Sequence, residues 1–162
     1  MELLQQLVDS GACVEFDQGI DARFIDEENV KLLAQIKMKI IHFAFDFMEN
    51  EARIIEGLKL AKKHLKLDDR NSIVYMLTNF DTSIRDDFYR CKMLKEIGFT
   101  PDVRIYRKNA LPKRHILRDM QRWCNNRAIY RTCNFFDYVP RADGLTIREI
   151  YKDILQDCDI EI

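Results

Sequence analysis

Gln18, Asp21 and Arg23 lie within the six-residue run Gln18-Gly19-Ile20-Asp21-Ala22-Arg23 and bring an amide, a carboxylate and a guanidinium to what reads as a strand exit. An amide both donates and accepts, which suits a ribose hydroxyl. A carboxylate accepts from hydroxyls, and a guanidinium forks onto a carboxylate. Gly19 lets the backbone turn close past a ligand. The same residues also fit a plainer role, an Asp21–Arg23 or Asp17–Arg23 ion pair that fixes a turn. Asp46 follows the next apolar run, Thr78, Asn79 and Asp81 follow the one after, and Arg107, Lys108 and Asn109 follow the last. In parallel β/α folds, ligands gather at the C-terminal ends of the strands. These residues therefore mark one rim as a candidate site, although solvated loops are polar in any case.

The elements that would carry this rim read as helix-then-strand units. Leu3, Leu4, Leu7 and Val8 are spaced for a helix that Gly11 ends, and Cys13–Phe16 reads as a strand. Asp26 can cap a helix through Val30, Leu33 and Ile36. Lys39–Phe45 is nearly all apolar, as in a strand of a parallel sheet. A helix from Glu49 to Leu65, a polar turn at Asp68–Asn71 and a strand at Ser72–Leu77 follow. Ser83 with Asp86 forms a capping box for a helix striped by Ile84, Phe88, Cys91, Leu94 and Ile97, with Gly98 as its terminator. Val103–Tyr106 reads as the fourth strand, residues 114–132 as one long helix, and Leu145–Leu155 as a last one. The alternation predicts an α/β fold with about four parallel strands, right-handed crossovers and outer helices. Four units are too few to close an eight-stranded barrel. An open sheet or a partial (β/α) barrel, half of a TIM-type barrel, remains, with an edge that must be covered or paired. Residues 1–140 form the β/α unit and residues 141–162 a C-terminal helical appendage of the same domain.

Composition excludes several classes. The chain is 47% hydrophobic and 33% charged with net charge −1, so it has the makings of a core and no sign of disorder. No apolar run approaches a membrane span, and residues 1–10 lack a signal-peptide pattern. Cys13, Cys91, Cys124, Cys133 and Cys158 form no CxxC or CxxxC pair, which points to reduced thiols in the cytoplasm rather than to a metal motif. Residues 104–131 carry nine bases against Asp119 alone. They read as a solvated helix complementing the acidic first 30 residues rather than as a nucleic-acid surface. His42, in mid-strand, reads as packed.

The run VEFDQGIDARFIDEENVKLLAQIKMKIIHFAFD resembles the fourth and fifth strand region of radical S-adenosylmethionine (SAM) enzymes. VYMLTNFDTSIRDDFYRCKMLKEIGFTPDVRIYRKN and WCNNRAIYRTC are similar to the segments that follow, so that the likeness covers roughly residues 5–140. In that family a CxxxCxxC loop after the first strand holds a [4Fe–4S] cluster, and the later strands close around SAM. The resemblance implies that Gln18, Asp21 and Arg23 face SAM or substrate, with Asp46 and Asn79 at the next two strand ends. It also implies that the cluster loop lies outside this chain, which would then not cleave SAM alone. Thr78-Asn79-Phe80 departs from the glycine-bearing sequence usual there. The partners expected are a cluster-bearing N-terminal half or a second copy joined through an open sheet edge, with neither membrane nor nucleic acid. The alternative is a non-catalytic α/β interaction module.

Overall fold

A computed structural model describes residues 1–158. Four parallel strands, β1 (Cys13–Asp21), β2 (Lys37–Ala44), β3 (Ser72–Thr78) and β4 (Pro101–Ile105), pair in chain order without reversal. The helices are α1 (Glu2–Ser10), α2 (Asn29–Leu33), α3 (Glu51–His64), α4 (Ile84–Ile97), α5 (Ile116–Asn125), α6 (Arg127–Thr132), α7 (Ile147–Ile150) and α8 (Lys152–Asp157). Right-handed crossovers between neighbouring parallel strands stack the connecting helices on one face, and burial follows that rule. On β3, Ser72, Val74, Met76 and Thr78 are buried, while Ile73, Tyr75 and Leu77 on the other face are half-buried. Ile41, Phe43, Val74, Met76 and Val103 form the sheet side of a core shared with Leu58, Ala61, Leu94 and Leu117.

The turns that enter α2 and β3 share one device. Asp26 Oδ1 accepts from the Glu28 and Asn29 amides while Asn29 Oδ1 accepts from the Asp26 amide. Asp68 and Asn71 repeat this bond for bond. Short polar side chains that bond their own backbone make such turns without help from the core. The expected capping box of α4 is present, and Gly98 ends that helix at φ 89°.

Three elements differ from their sequence expectation. β1 runs on to Asp21, because three residues, Asp17, Gln18 and Gly19, stand opposite His42 alone. This bulge lets a strand continue through a sequence that lacks alternation. The helix expected over 114–132 breaks after Asn125. Asn125 Oδ1 accepts from the Val103 amide at 2.8 Å, and Gln121 Nε2 donates to the Val103 carbonyl at 2.7 Å. Asn126 then caps α6. The outer edge of β4 is thus closed by side chains of α5, whereas among the described residues no strand pairs with the outer edge of β1. The C-terminal helix breaks at Tyr151, whose hydroxyl donates to the fully buried Asp119 at 2.7 Å. Arg141 reaches the same carboxylate at 2.6 Å. Residues 141–158 are therefore tied to α5.

α3 lies against the 3-10 turn Ala22–Phe24 that follows β1, and Gly57 makes the approach possible: a Cβ there would collide with the Ala22 carbonyl. Both partners are backbone, so neither can swing aside. Gly57→Ala is expected to lower stability by about 2 kcal/mol, as overpacking does; urea unfolding reads the loss.

Candidate functional site

The C-terminal ends of the four strands carry the rim. Phe24 follows β1, Phe47 follows β2, Phe80 follows β3 and Tyr106 follows β4, and all four rings are exposed. Phe47, Phe80 and Tyr106 form a continuous row, with centroids 6.4 and 4.9 Å apart, and the Arg107 guanidinium lies 5.2 Å from the Tyr106 ring. Every non-glycine residue with positive φ among those described stands in these exit loops: Asn50 (59°), Asn79 (60°), Asp81 (50°) and Arg107 (47°). Such conformations persist only where surrounding bonds enforce them.

For the β3 exit loop, with Asn79 and Asp81, the enforcement comes from a buried cation and its carboxylate. Arg90 on α4 is fully buried, and its guanidinium donates to the carbonyls of Phe45 at 2.5 Å and Leu77 at 2.8 Å, past the end of β2 and at the end of β3. It also bonds Asp87, which takes the Thr82 hydroxyl at 2.7 Å and lies 3.4 Å from the Asn79 amide. Burial pushes the Asp87 carboxyl up, against the opposing pull of Thr82 and Arg90.

The residues singled out in the sequence fall at different places on this rim. Asp21 and Arg23 pair with each other: Nε lies 3.0 Å from both carboxylate oxygens, Nη2 is 2.7 Å from Oδ2, and Asp21 also accepts from the Arg23 amide. The turn-fixing reading holds for that pair. Gln18 is exposed within the β1 bulge, its Nε2 3.4 Å from Asp17 Oδ1. Asp46 accepts from the Leu77 amide at 2.7 Å, tying the exit of β2 to β3. Asn79 gives its Nδ2 to the Tyr106 carbonyl at 2.9 Å, tying β3 to β4. Asp46 and Asn79 thus lace adjacent strand ends together, while the Asp21–Arg23 pair stands apart from them. Three of the nine bases of 104–131, Arg104, Arg122 and Arg131, pair with Asp102, Asp119 and Asp69, and among the described residues none pairs with an acid of the first 30 residues.

On the face of the sheet away from the core, the β1 bulge aims the Asp17 carbonyl at His42 Nδ1, 3.1 Å away, and the Tyr75 hydroxyl lies 2.8 Å from the same nitrogen. Gly19, at φ 84°, brings the bulge close over the Tyr75 ring. His42 is packed as expected, with its Nε2 buried and unpartnered. Among the described residues no group of three His, Cys, Asp or Glu side chains converges as a metal site.

Arg90 and the aromatic row went unread in the sequence. Asp87, Arg90, Cys91 and Leu94 share the buried face of α4, so opposite charges in phase with apolar residues were the available signal. The row was marked by an aromatic shortly after every strand.

Two expectations follow. The Arg23 side chain holds the Asp21 carboxyl below the usual carboxylate range. A depressed folded-state value means the pair stabilises above the unfolded Asp value and is lost as pH falls through the folded one. With both side chains more than a third exposed, the effect on stability is small, but in an NMR titration Arg23→Ala should move the Asp21 carboxyl upward. Arg90→Met should cost roughly 3–5 kcal/mol, because it leaves Asp87 buried and unpaired. The double variant Arg90→Met/Asp87→Leu should recover part of that loss in urea unfolding. No family model, curated protein or solved structure matches the chain.

Proposed function

We propose that this chain is the later part of a radical SAM-type β/α barrel and carries part of the SAM and substrate surface on its C-terminal rim. Further strands, with the cluster ligands, join along β1 from a partner or another segment. The observation that carries this reading is the asymmetry of the sheet. α5 seals the β4 edge through Gln121 and Asn125, while among the described residues no strand pairs with the outer edge of the nine-residue β1. The face away from the helices presents the half-buried Ile40, Ile73, Tyr75 and Leu77, as the inner wall of a barrel would. An α/β sheet with strands in chain order is the arrangement that such a barrel repeats.

The chain's own cysteines do not fit the cluster. Cys13 is exposed at the start of β1, Cys91 and Cys124 are buried against each other, and Cys133 and Cys158 end α6 and α8. Three thiolates never meet, so the isolated chain does not cleave SAM. The rim residues do fit a nucleoside bearing an amino acid. Gln18 and Asp21 suit its hydroxyls, Arg23 its carboxylate, and the row of rings its base. Asp46 and Asn79 hold the strand ends beneath it.

Calorimetry with SAM tests the reading. Saturable heat that is weakened in Gln18→Ala and Arg23→Ala and lost when Phe80 and Tyr106 are both replaced by Ala is expected, with no 5′-deoxyadenosine formed by the chain after iron–sulfide reconstitution. Absence of heat at millimolar SAM would overturn the retained SAM surface. Association through β1 without SAM binding would then leave an interaction module. SAM cleavage by the isolated chain would overturn the division of labour.

A further inference from the structure

A second concave site lies among the helices α4, α5 and α7. Phe88, Lys92 and Lys95 recur along one side of α4 and face Trp123 of α5, the turn Asn134–Phe136 and Arg148 of α7 around a cavity of 260 Å3. Its walls are aromatic. Phe88 lies 4.9 Å from Phe136 and 5.7 Å from Phe135, and Trp123 lies 5.2 Å from Phe135, centroid to centroid.

Its charge has one sign. Lys95 Nζ sits 5.1 Å from the Trp123 ring and, among the described residues, donates to the Cys133 carbonyl alone, at 3.1 Å. Arg148 stands over Phe136 at 5.9 Å, and Lys92 is exposed at the mouth. Among the described residues no acidic side chain lines the cavity. Arg148 has Asp137 at a long 3.5 Å, a carboxylate largely in solvent. An aromatic slot with three cations at its mouth is complementary to a flat ring bearing negative charge: the ring finds faces and edges to stack on, and the anion finds ammonium and guanidinium groups. At 260 Å3 the slot falls just under the range of drug-sized pockets, which suits one or two rings and not a longer ligand.

We propose that this slot binds a small planar aromatic anion, an aryl phosphate or aryl carboxylate, seated against the wall of Phe88, Trp123 and Phe136 with its anionic group toward Lys92, Lys95 and Arg148. The site is independent of the strand-end rim and of the function proposed for it.

Trp123 is the sole tryptophan of the chain and lines the slot, so its emission reports on the site directly. The probes are phenyl phosphate and benzoate, with inorganic phosphate and benzyl alcohol as the two halves of the ligand. Phenyl phosphate or benzoate is expected to change Trp123 emission saturably and at least tenfold more tightly than either half. The tighter of the two identifies the anionic group. Arg148→Gln and Lys92→Gln should each weaken binding several-fold while leaving the urea unfolding midpoint near wild type, since both side chains are exposed. A flat emission titration would overturn the proposal. So would equal binding of phenyl phosphate and inorganic phosphate, which would reduce the slot to a cationic surface, and so would unchanged affinity in both variants.

Discussion

A fully buried guanidinium is the constraint on which the rest of the rim depends. Removing Arg90 from water is costly, and the cost is offset only if nearly every donor finds an acceptor. Here Nη1 and Nη2 find two main-chain carbonyls at the ends of neighbouring strands, one carboxylate and, at 3.5 Å, the Thr82 hydroxyl, while Nε stays without a partner among the described residues, a residual cost. A carbonyl at the end of a parallel strand has lost its ladder partner, so Phe45 and Leu77 need what Arg90 needs to give. Asp87 in turn reaches toward the loop beyond β3, and the Asn79 amide and Thr82 hydroxyl turn to it. That loop therefore adopts positive φ at Asn79 and Asp81 without glycine. One charge pair thus fixes the spacing of β2 and β3 and the path of the loop that presents Phe80.

Polar side chains also decide where the sheet stops. On β4, the Val103 amide and carbonyl would be free to recruit another strand, and Asn125 and Gln121 occupy both. An edge closed this way is protected against unwanted pairing. Among the described residues β1 has no such cover, and its bulge turns the Asp17 carbonyl inward to His42 and Tyr75 instead of outward. Both edges would have been expected to be open from strand counting alone. The side-chain bonds of α5 make the two edges unequal, and that inequality gives the sheet a direction of growth on the proposed reading.

Alternation, turns and caps were legible because they are local. Lys39–Phe45 and Ser72–Leu77 mark strands within two residues of β2 and β3, and Ser83, Asp86 and Gly98 bound α4. What escaped was set by distant partners. β1 continues past Phe16 because β2 offers it a register with a bulge, and nothing in residues 17–19 says so by itself. The break after Asn125 depends on Val103, 22 residues earlier. Gly57 is written as an ordinary helical glycine and matters only because Ala22 passes beside it. Of the candidate site, Asp21 and Arg23 were found but their pairing could not be separated from a ligand role by sequence. Asp46 and Asn79 were found at the right places with structural bonds that no motif announces.

These bonds rank what the rim can offer a ligand. Arg23 already holds a carboxylate in a two-pronged geometry, so binding a ligand carboxylate exchanges one ion pair for another and gains little beyond the entropy of the freed Asp21. Asp46 uses one oxygen on Leu77 and Asn79 its nitrogen on Tyr106, which among the described residues leaves one Asp46 oxygen and the Asn79 carbonyl oxygen as uncommitted acceptors above adjacent strands. The exposed rings beside them lose nothing by being covered and gain from leaving water. The energetic centre of the rim therefore lies over β2, β3 and β4, at Phe47, Phe80 and Tyr106, rather than over the Gln18–Arg23 run where the sequence first draws attention. A ligand seated on that row would meet Arg90 only through the loop that Arg90 holds, so the buried charge pair would shape its affinity without touching it.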